Sequence, residues 1–165
     1  MKINKILHYA AIILVVSVNI GCDQISKAVV RENLEDHEDI QVLGEHVVLT
    51  KVENSGAFLS LGDSLSPLAK SLLLTAIPSV TLLMMFFWLF AHNPGKWAIF
   101  GLCCMVGGGI GNIFDRIVYG SVTDFMFIQF GFFRTGIFNA ADVSITFGMC
   151  LVVAQQVFKS RKNCV

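Results

Sequence analysis

Residues 107–148 read GGGIGNIFDRIVYGSVTDFMFIQFGFFRTGIFNAADVSITFG and lie between two long apolar runs. This stretch carries three aspartates, two asparagines and an arginine of interest, namely Asp115, Asp124, Asp142, Asn112, Asn139 and Arg116. Ionisable groups at the edge of a membrane are costly and are kept away from lipid. Several of them gathered beside apolar spans therefore indicate a functional site.

The composition of the 165-residue chain is typical of a membrane protein, because 55% of its residues are hydrophobic and only 15% are charged. Crossing a hydrocarbon core takes about 20 apolar residues, or about 17 at the short end. Four windows qualify, at residues 6–22, 72–91, 97–114 and 142–158. Backbone polar groups have no water partner in lipid, so each window should be a helix. We predict a single membrane domain over 1–165 with four transmembrane helices.

The charges are distributed unevenly between the connections. Basic residues without acidic neighbours precede the first window, separate the second from the third and follow the fourth: Lys2, Lys5, Lys96, Lys159, Arg161 and Lys162. All twelve acidic residues lie in the other two connections or at their edges. By the positive-inside rule, both termini are expected in the cytoplasm, and residues of about 23–71 and 115–142 on the outer side.

The N-terminal 22 residues also look like a secretory signal, with a basic start, an apolar core and then Gly21-Cys22. A lipoprotein signal cleaved before a lipid-modified Cys22 is the alternative to an uncleaved helix. Asn19 stands where such cleavage boxes prefer an aliphatic residue, and three more windows follow, so we expect an uncleaved helix. The cysteines are interpreted as small apolar residues or free thiols. No CxxC pair or HExxH run offers a metal site.

The first outer connection contains two features of interest. Asp23 and Lys27 are four residues apart, so on a continuing helix they share a face and can pair, or Lys27 simply snorkels to the interface. Residues 40–62 contain β-branched runs bounded by turn formers, which predict two or three short strands in a small sheet on the membrane face. Within them, Asn54-Ser55-Gly56-Ala57-Phe58 favours a turn, although it could also hydrogen-bond an extended peptide.

The third window ends in a glycine-rich run, and small residues of this kind let membrane helices approach closely. Asn112 and Arg116 follow four residues apart and share a helical face. The connection at 116–141 is expected to be an outer loop or helix over the site. Its aromatic residues suit a segment lying in the headgroup region, namely Phe125, Phe127, Phe130, Phe132 and Phe133.

Asp124 and Asp142 are expected near the same outer surface, on opposite sides of this connection. If the fold brings them together, both cannot ionise cheaply, and one proton is shared. That is the aspartic-protease arrangement, in which one carboxylate activates water and the protonated partner polarises a carbonyl. Alternatively, Asp142 is a plain helix cap and Asp115 pairs with an arginine in the loop. A membrane carrier would also use carboxylates, although nearer the bilayer midplane.

Four boxes of sequence resemble those of lipoprotein signal peptidase, or signal peptidase II, in the same order along nearly the whole chain. They are Asp23-Gln24-x-Ser26-Lys27, Asn54-x-Gly56-Ala57-Phe58, Gly107-Gly108-x-x-Gly111-Asn112-x-x-Asp115-Arg116-x-x-x-Gly120-x-Val122-x-Asp124-Phe125, and Phe138-Asn139-x-Ala141-Asp142. Two positions depart from the family's pattern. Gly136 stands where a proline is common and Gly109 where an alanine is common, which puts the rigidity of the loop in doubt.

The resemblance implies a bacterial inner-membrane aspartic endopeptidase that cuts prolipoproteins just before a diacylglyceryl-modified cysteine. It assigns the catalytic dyad to Asp124 and Asp142. It assigns substrate binding or support to Asp23, Lys27, Asn54, Gly56, Asn112, Asp115, Arg116, Asn139 and Ala141. A β-cradle at about 40–62, contact with membrane lipid and inhibition by the cyclic peptide antibiotic globomycin are implied as well. We expect no cofactor, no metal ion and no nucleic-acid partner.

Overall fold

The computed structural model describes residues 2–36, 38–57 and 60–163. Within these residues, four helices are long and apolar enough to cross a membrane, as the sequence predicted. They are α1 (Lys2–Asn33), α2 (Pro67–Ala91), α3 (Lys96–Val118) and α4 (Ala140–Asn163). The stretch Ser71–Ala76 within α2 is a π-helix. Residues 92–95 form a short connection, so α2 and α3 are an antiparallel pair.

The first helix continues well past the apolar window that predicts it. Asp23, Lys27 and Arg31 follow one another at intervals of four residues, so they lie on one face of α1. This face packs on α3, where Lys27 contacts Asp115. The polar side chains therefore find partners inside the protein, and the helix does not need to end where the apolar run ends. The alternative that Lys27 snorkels to the interface is wrong, because its side chain is fully buried.

A four-stranded antiparallel sheet covers one end of the bundle, with the strands in the order β1-β2-β3-β4. Strands β1 (Ile40–Gln41) and β2 (Val47–Asn54) come from the region predicted to form strands. Strands β3 (Val122–Phe130) and β4 (Phe133–Arg134) come from the 116–141 connection, which we expected to be a loop or helix. That expectation was wrong because the aromatic and β-branched side chains of this segment also favour a strand beside β2.

The sheet is attached to the helices through a small core of its own. Val30 and Leu34, at the end of α1, pack against Phe125 of β3. Between the pairs Leu49–Met126 and Val52–Asp124, β2 has one residue more than β3, so it contains a β-bulge. The register places Asp124 opposite Val52, on the strand next to the end of α1. The sheet therefore holds Asp124 at the end of the bundle.

Helix α3 lies at the centre of the bundle and packs against the other three helices. Its glycines allow this close approach. A Cβ added at Gly108 would lie 2.5 Å from the backbone oxygen of Ala141, which belongs to the first turn of α4. A Cβ added at Gly101 would lie 2.6 Å from the backbone oxygen of Gly148, also in α4. The small residues thus bring α4, and the side chains at its start, against α3.

We expect Gly108→Ala to destabilise the protein, whereas Gly21→Ala should not. The added methyl group at position 108 meets a backbone atom, and overpacking of this kind costs roughly 1–3 kcal/mol. A methyl group added at Gly21 would have no atom within 4 Å, so this replacement gains only the helix propensity of alanine, ~1 kcal/mol. Thermal unfolding in detergent measures both. Equal midpoints for the two variants would contradict close α3–α4 packing at Gly108.

Candidate active site

Asp124 lies near the start of β3, and its side chain is almost completely buried. Two amide groups donate hydrogen bonds to its carboxylate. The Nδ2 of Asn54, at the end of β2, lies 2.9 Å from Oδ2, and the Nδ2 of Asn139 lies 2.6 Å from Oδ1. Asp124 is therefore held in one orientation by residues from two different parts of the chain.

Asp142 lies in the first turn of α4 and takes part in a reciprocal cap with Asn139. Its backbone N–H donates to Asn139 Oδ1 at 3.0 Å, and its Oδ2 accepts from the backbone N–H of Asn139 at 3.1 Å. The alternative of a helix cap is thus correct as far as it goes. However, the other carboxylate oxygen, Oδ1, accepts a hydrogen bond at 2.9 Å from Nδ2 of Asn112 in α3. Capping alone does not account for that second contact.

The two aspartates share one asparagine, Asn139, as a hydrogen-bond partner. The fully buried Asn139 donates to both carboxyl groups, to Asp124 from its side-chain nitrogen and to Asp142 from its backbone N–H. Its side-chain oxygen accepts from the backbone N–H of Asp142. The same side-chain nitrogen lies 3.2 Å from Oδ1 of Asn112. The structure therefore brings together Asp124 and Asp142, which the sequence predicted only conditionally.

Behind this pair lies a buried ionic cluster that joins α1 to α3. The ammonium group of Lys27 lies 2.8 Å from Asp23 Oδ2 and 2.9 Å from Asp115 Oδ2, and all three side chains are fully buried. Lys27 also donates to Asn112 Oδ1 at 2.8 Å. That contact turns the amide of Asn112 so that its nitrogen faces Asp142. The alternative that Asp115 pairs with an arginine of the connection is wrong, because its cations come from α1.

Two members of this cluster were missed as site residues. Gln24 donates to both Asp23 and Asp115 at 3.1 Å, and the guanidinium of Arg31 lies 3.0 Å from Asp115. Arg31 also donates to the hydroxyl of Thr123, which neighbours Asp124. The signal that could have identified Arg31 is its four-residue spacing from Lys27 on an extended α1. Ala141 joins the cluster through its backbone, whose N–H donates to Asp23 Oδ1 at 2.9 Å.

The segment after β2 forms the predicted turn. The backbone N–H of Gly56 donates to Asn54 Oδ1 at 3.0 Å, and Asn54 Nδ2 lies 3.1 Å from the carbonyl oxygen of Ala57. Arg116 holds this turn from α3 by donating to the carbonyl oxygen of Gly56 at 2.8 Å. Asn54 is therefore positioned toward Asp124 by the turn in which it takes part. Phe58, the last residue of this sequence box, lies outside the described residues.

Asp124 and Asp142 line a cleft of about 470 Å³, which we call the central cleft. Its polar end also includes Asn54, Asn112 and Arg116. The rest of its wall is mainly apolar and comes from three helices, with Leu74, Ile77, Pro78, Leu82, Met85, Met105, Ile113 and Ile145 among its residues. Gly109 lies on this wall as well. The cleft thus combines an apolar space beside the helices with two carboxyl groups at one end.

The pKa of Asp124 is raised to about 6, chiefly because the carboxyl group is buried. The negative charge of Asp142 also raises it, while the hydrogen bonds from Asn54 and Asn139 and the charge of Lys27 lower it. At a pH near 6, the carboxyl group of Asp124 can therefore either hold a proton or give it up. A group with this property, beside a second carboxylate, can serve as a general acid or base.

We expect the stability of the wild type to fall relative to Asp124→Asn as the pH rises from about 4 to about 6. The folded state binds the proton of Asp124 more tightly than the unfolded state does, so this stabilisation is complete below the ordinary pKa of 3.8 and lost above the raised one. A shift of this size corresponds to on the order of 3 kcal/mol. Thermal unfolding of both proteins across this pH range measures the difference. A pH-independent difference would contradict the raised pKa.

Comparisons with known proteins show the family of the chain and its fold. The family model of signal peptidase (SPase) II matches residues 13–158. The lipoprotein signal peptidase of Desulforapulum autotrophicum is 33% identical over 147 residues, which cover 88% of this chain and 90% of that protein. The lipoprotein signal peptidase of Campylobacter jejuni is 36% identical over 119 residues, which cover 72% of this chain and 73% of that protein. A solved bacterial membrane enzyme shares the fold, with a TM-score of 0.81 at 23% identity over 93% of this chain and 91% of that chain. The chain therefore belongs to the signal peptidase II family, membrane proteases that cleave the signal peptides of lipoproteins.

Proposed function

We propose that the protein is an aspartic endopeptidase that removes signal peptides from prolipoproteins by cleaving just before a diacylglyceryl-modified cysteine. The observation that carries the proposal is the meeting of Asp124 and Asp142 around Asn139 at the polar end of an apolar cleft. A lipid-anchored substrate has to be cut where its apolar part stays in an apolar environment. A pair of carboxyl groups can hydrolyse a peptide bond there with water as the only nucleophile.

In this proposal, Asp142 carries the negative charge and Asp124 carries the proton. Asp142 accepts N–H hydrogen bonds from Asn112 and Asn139 at the N-terminus of α4, where negative charge is stabilised. Asp124 is the more buried of the two, and burial favours its neutral form. Asp142 takes a proton from water as the water oxygen bonds to the scissile carbonyl carbon, and Asp124 donates its proton to the carbonyl oxygen. Asp142 then gives the proton it took from water to the departing nitrogen, and a hydroxyl of the tetrahedral intermediate returns a proton to Asp124. The carbon–nitrogen bond breaks, which releases the carboxyl end of the signal peptide and the free amine of the modified cysteine and restores the starting state of both aspartates.

The neighbouring polar residues hold this pair in position. Asn54 and Asn139 fix the two oxygens of Asp124, and Asn112 fixes one oxygen of Asp142. Arg116 lies in the wall of the central cleft and holds the turn at Gly56, so it can orient substrate and turn together. The remaining set acts from behind by fixing α1, α3 and the start of α4 to one another: Asp23, Lys27, Asp115 and Ala141.

We further propose that the protein spans the bacterial cytoplasmic membrane with both termini inside and the dyad at the outer face. The uneven charge distribution supports this orientation, since Lys96 lies at the opposite end of the bundle from the sheet and its acidic neighbours. The central cleft would then lie level with the outer half of the bilayer, in contact with membrane lipid. A cyclic peptide antibiotic of the globomycin type would inhibit the enzyme by occupying this cleft.

The experiment that tests the proposal is incubation of the purified chain, in detergent or lipid, with a prolipoprotein that carries a diacylglyceryl-modified cysteine. Cleavage immediately before that cysteine is the expected result. Metal chelators and serine-directed reagents should leave the rate unchanged, because the proposed reaction uses neither a metal ion nor a nucleophilic serine. If well-folded protein leaves this substrate intact, the proposed function is wrong.

A further inference from the structure

A second cavity, of about 640 Å³, lies outside the central cleft, between β4 and the first two turns of α4. We call it the hairpin groove. Its walls include two aromatic residues that precede α4 and four residues of α4 itself, namely Phe133, Phe138, Asp142, Val143, Thr146 and Phe147. Apart from Asp142, none of these residues takes part in the proposed reaction.

The groove arises from the way the chain enters α4. After β4, the chain runs back along β3, and the backbone N–H of Phe138 donates to the carbonyl oxygen of Met126 at 2.9 Å. Asn139 then caps α4, so the returning segment and the helix diverge from a common point. Residues of both segments line the groove, and Asp142, in the first turn of the helix, is one of them.

Asp142 lines both cavities, the central cleft and the hairpin groove. The two spaces therefore reach the same carboxyl group from different sides. If the scissile peptide bond lies at Asp142, the parts of the substrate on its two sides can occupy different cavities. For a lipid-modified cysteine beside the scissile bond, one of those parts is a pair of acyl chains.

The outer side of the groove is continuous with a surface suited to lipid. Val143 and Phe147 are each 50% exposed on the helix α4, which is apolar enough to span a membrane, and Phe133 across the groove is 60% exposed. Exposed side chains of a membrane-spanning helix face lipid, so the groove opens toward acyl chains on the side of α4. A lipid chain can enter such a groove sideways from the bilayer.

An extended peptide is the competing occupant, because β4 is an edge strand and could accept another strand. Two observations favour the acyl chain. The surface of the walls is mostly apolar, although Arg134 and Thr135 also line the groove. On the open side, the walls adjoin lipid-facing residues, where the free backbone groups of a peptide would find no water.

We propose that the hairpin groove binds the acyl chains of the diacylglyceryl group, while the central cleft holds the peptide. This inference rests on the proposed function. It gives the groove a role in specificity: acyl chains seated beside Phe133, Val143 and Phe147 place the bond next to the modified cysteine at Asp142. A substrate without these chains, or with short ones, loses that positioning.

The test fills the groove with a large side chain and varies the length of the acyl chains. Val143→Trp narrows the groove, and Val153→Trp is the matched control, since it is the same change on the same helix at a residue that is 56% exposed and outside the groove. Both variants are assayed with prolipoprotein peptides that carry either dipalmitoylglyceryl or dihexanoylglyceryl. If Val143→Trp does not fold, Thr146→Met fills the same groove from the next turn.

For Val143→Trp, we expect kcat/KM with the dipalmitoyl substrate to fall roughly tenfold, mainly through KM, because the bound chains lose part of their apolar contact. The dihexanoyl substrate should be affected much less, and Val153→Trp should resemble the wild type with both. An equal loss with both chain lengths would overturn the assignment to acyl chains. A loss that depended on the amino acids after the cysteine, and not on the length of the acyl chains, would overturn it as well.

A binding measurement separates this inference from the proposed reaction. A dipalmitoylglycerol analogue with a photoreactive group at the end of one chain should label residues 133–147 of the wild type, and the labelling should decrease in Val143→Trp. Labelling confined to other parts of the chain would overturn the inference even if cleavage occurs. Absence of cleavage together with groove labelling would overturn only the proposed function.

Discussion

Asp124→Asn is expected to abolish cleavage of the lipidated prolipoprotein, with a loss in kcat of at least roughly 10³-fold. The asparagine has the same shape and keeps one oxygen to accept a hydrogen bond from Asn54 or Asn139. It cannot hold and donate the acidic proton that the scissile carbonyl needs. The measurement is single-turnover cleavage of the diacylglyceryl substrate by purified wild type and variant, with thermal unfolding to show that both are folded.

Asp36→Asn serves as the matched control, because it makes the same chemical change at a carboxylate that is 71% exposed and pairs with Lys51 on the sheet. It should cleave at the wild-type rate. Asp142→Asn should lose as much activity as Asp124→Asn, and the double variant should be no worse than either, since the two groups act as a unit. A folded Asp124→Asn that retains a tenth or more of the wild-type rate would contradict the dyad. The alternative of a carrier or scaffold, in which these acids are relay or structural groups, would then be favoured.

The helices could be predicted well from the sequence because lipid offers no hydrogen-bond partners to an unpaired backbone. A long apolar segment in lipid has to form a helix, so the existence of four spans followed from composition alone. The ends of the helices did not follow from hydropathy. The continuation of α1 to Asn33 depends on Lys27 meeting Asp115, a partner far away in the sequence, and an apolar window cannot register that contact.

The sheet also depends on contacts that the local sequence does not reveal. The segment 122–130 contains aromatic and β-branched residues, which suit either a strand or a segment lying at a membrane interface. Only its pairing with β2 decides between the two, and the register of Asp124 opposite Val52 follows from that pairing. From the sequence, the meeting of Asp124 and Asp142 could therefore be predicted only on the condition that the fold brings them together. The role of Arg31 and the second cavity at Asp142 depend on the same tertiary contacts.

Lys27→Met is expected to destabilise the protein by roughly 3–5 kcal/mol, because it leaves two buried carboxylates without their shared cation. Methionine has a similar length and no charge, so the change removes the ion pairs with Asp23 and Asp115 while nearly preserving the volume. Arg31 still pairs with Asp115. Asp23 keeps hydrogen bonds from two neutral donors, the side-chain amide of Gln24 and the backbone N–H of Ala141. Thermal or denaturant unfolding in detergent measures the loss.

Lys51→Met is the control for this change, since Lys51 also pairs with an aspartate, but that partner, Asp36, is 71% exposed. Lys51 also donates a hydrogen bond to the carbonyl oxygen of Leu34 at 3.0 Å. A pair with an exposed partner contributes about 0–1 kcal/mol and a hydrogen bond about 0.5–1.5 kcal/mol, so the loss should stay well below that of Lys27→Met. Adding Asp23→Asn to Lys27→Met should recover part of the lost stability by removing the carboxylate that has lost its cation. If Lys27→Met proved as stable as Lys51→Met, the buried cluster could not be what fixes α1 to α3. In the structure, that cluster also sets the orientation of Asn112 toward Asp142, so a folded Lys27→Met should cleave more slowly even at temperatures well below its unfolding midpoint.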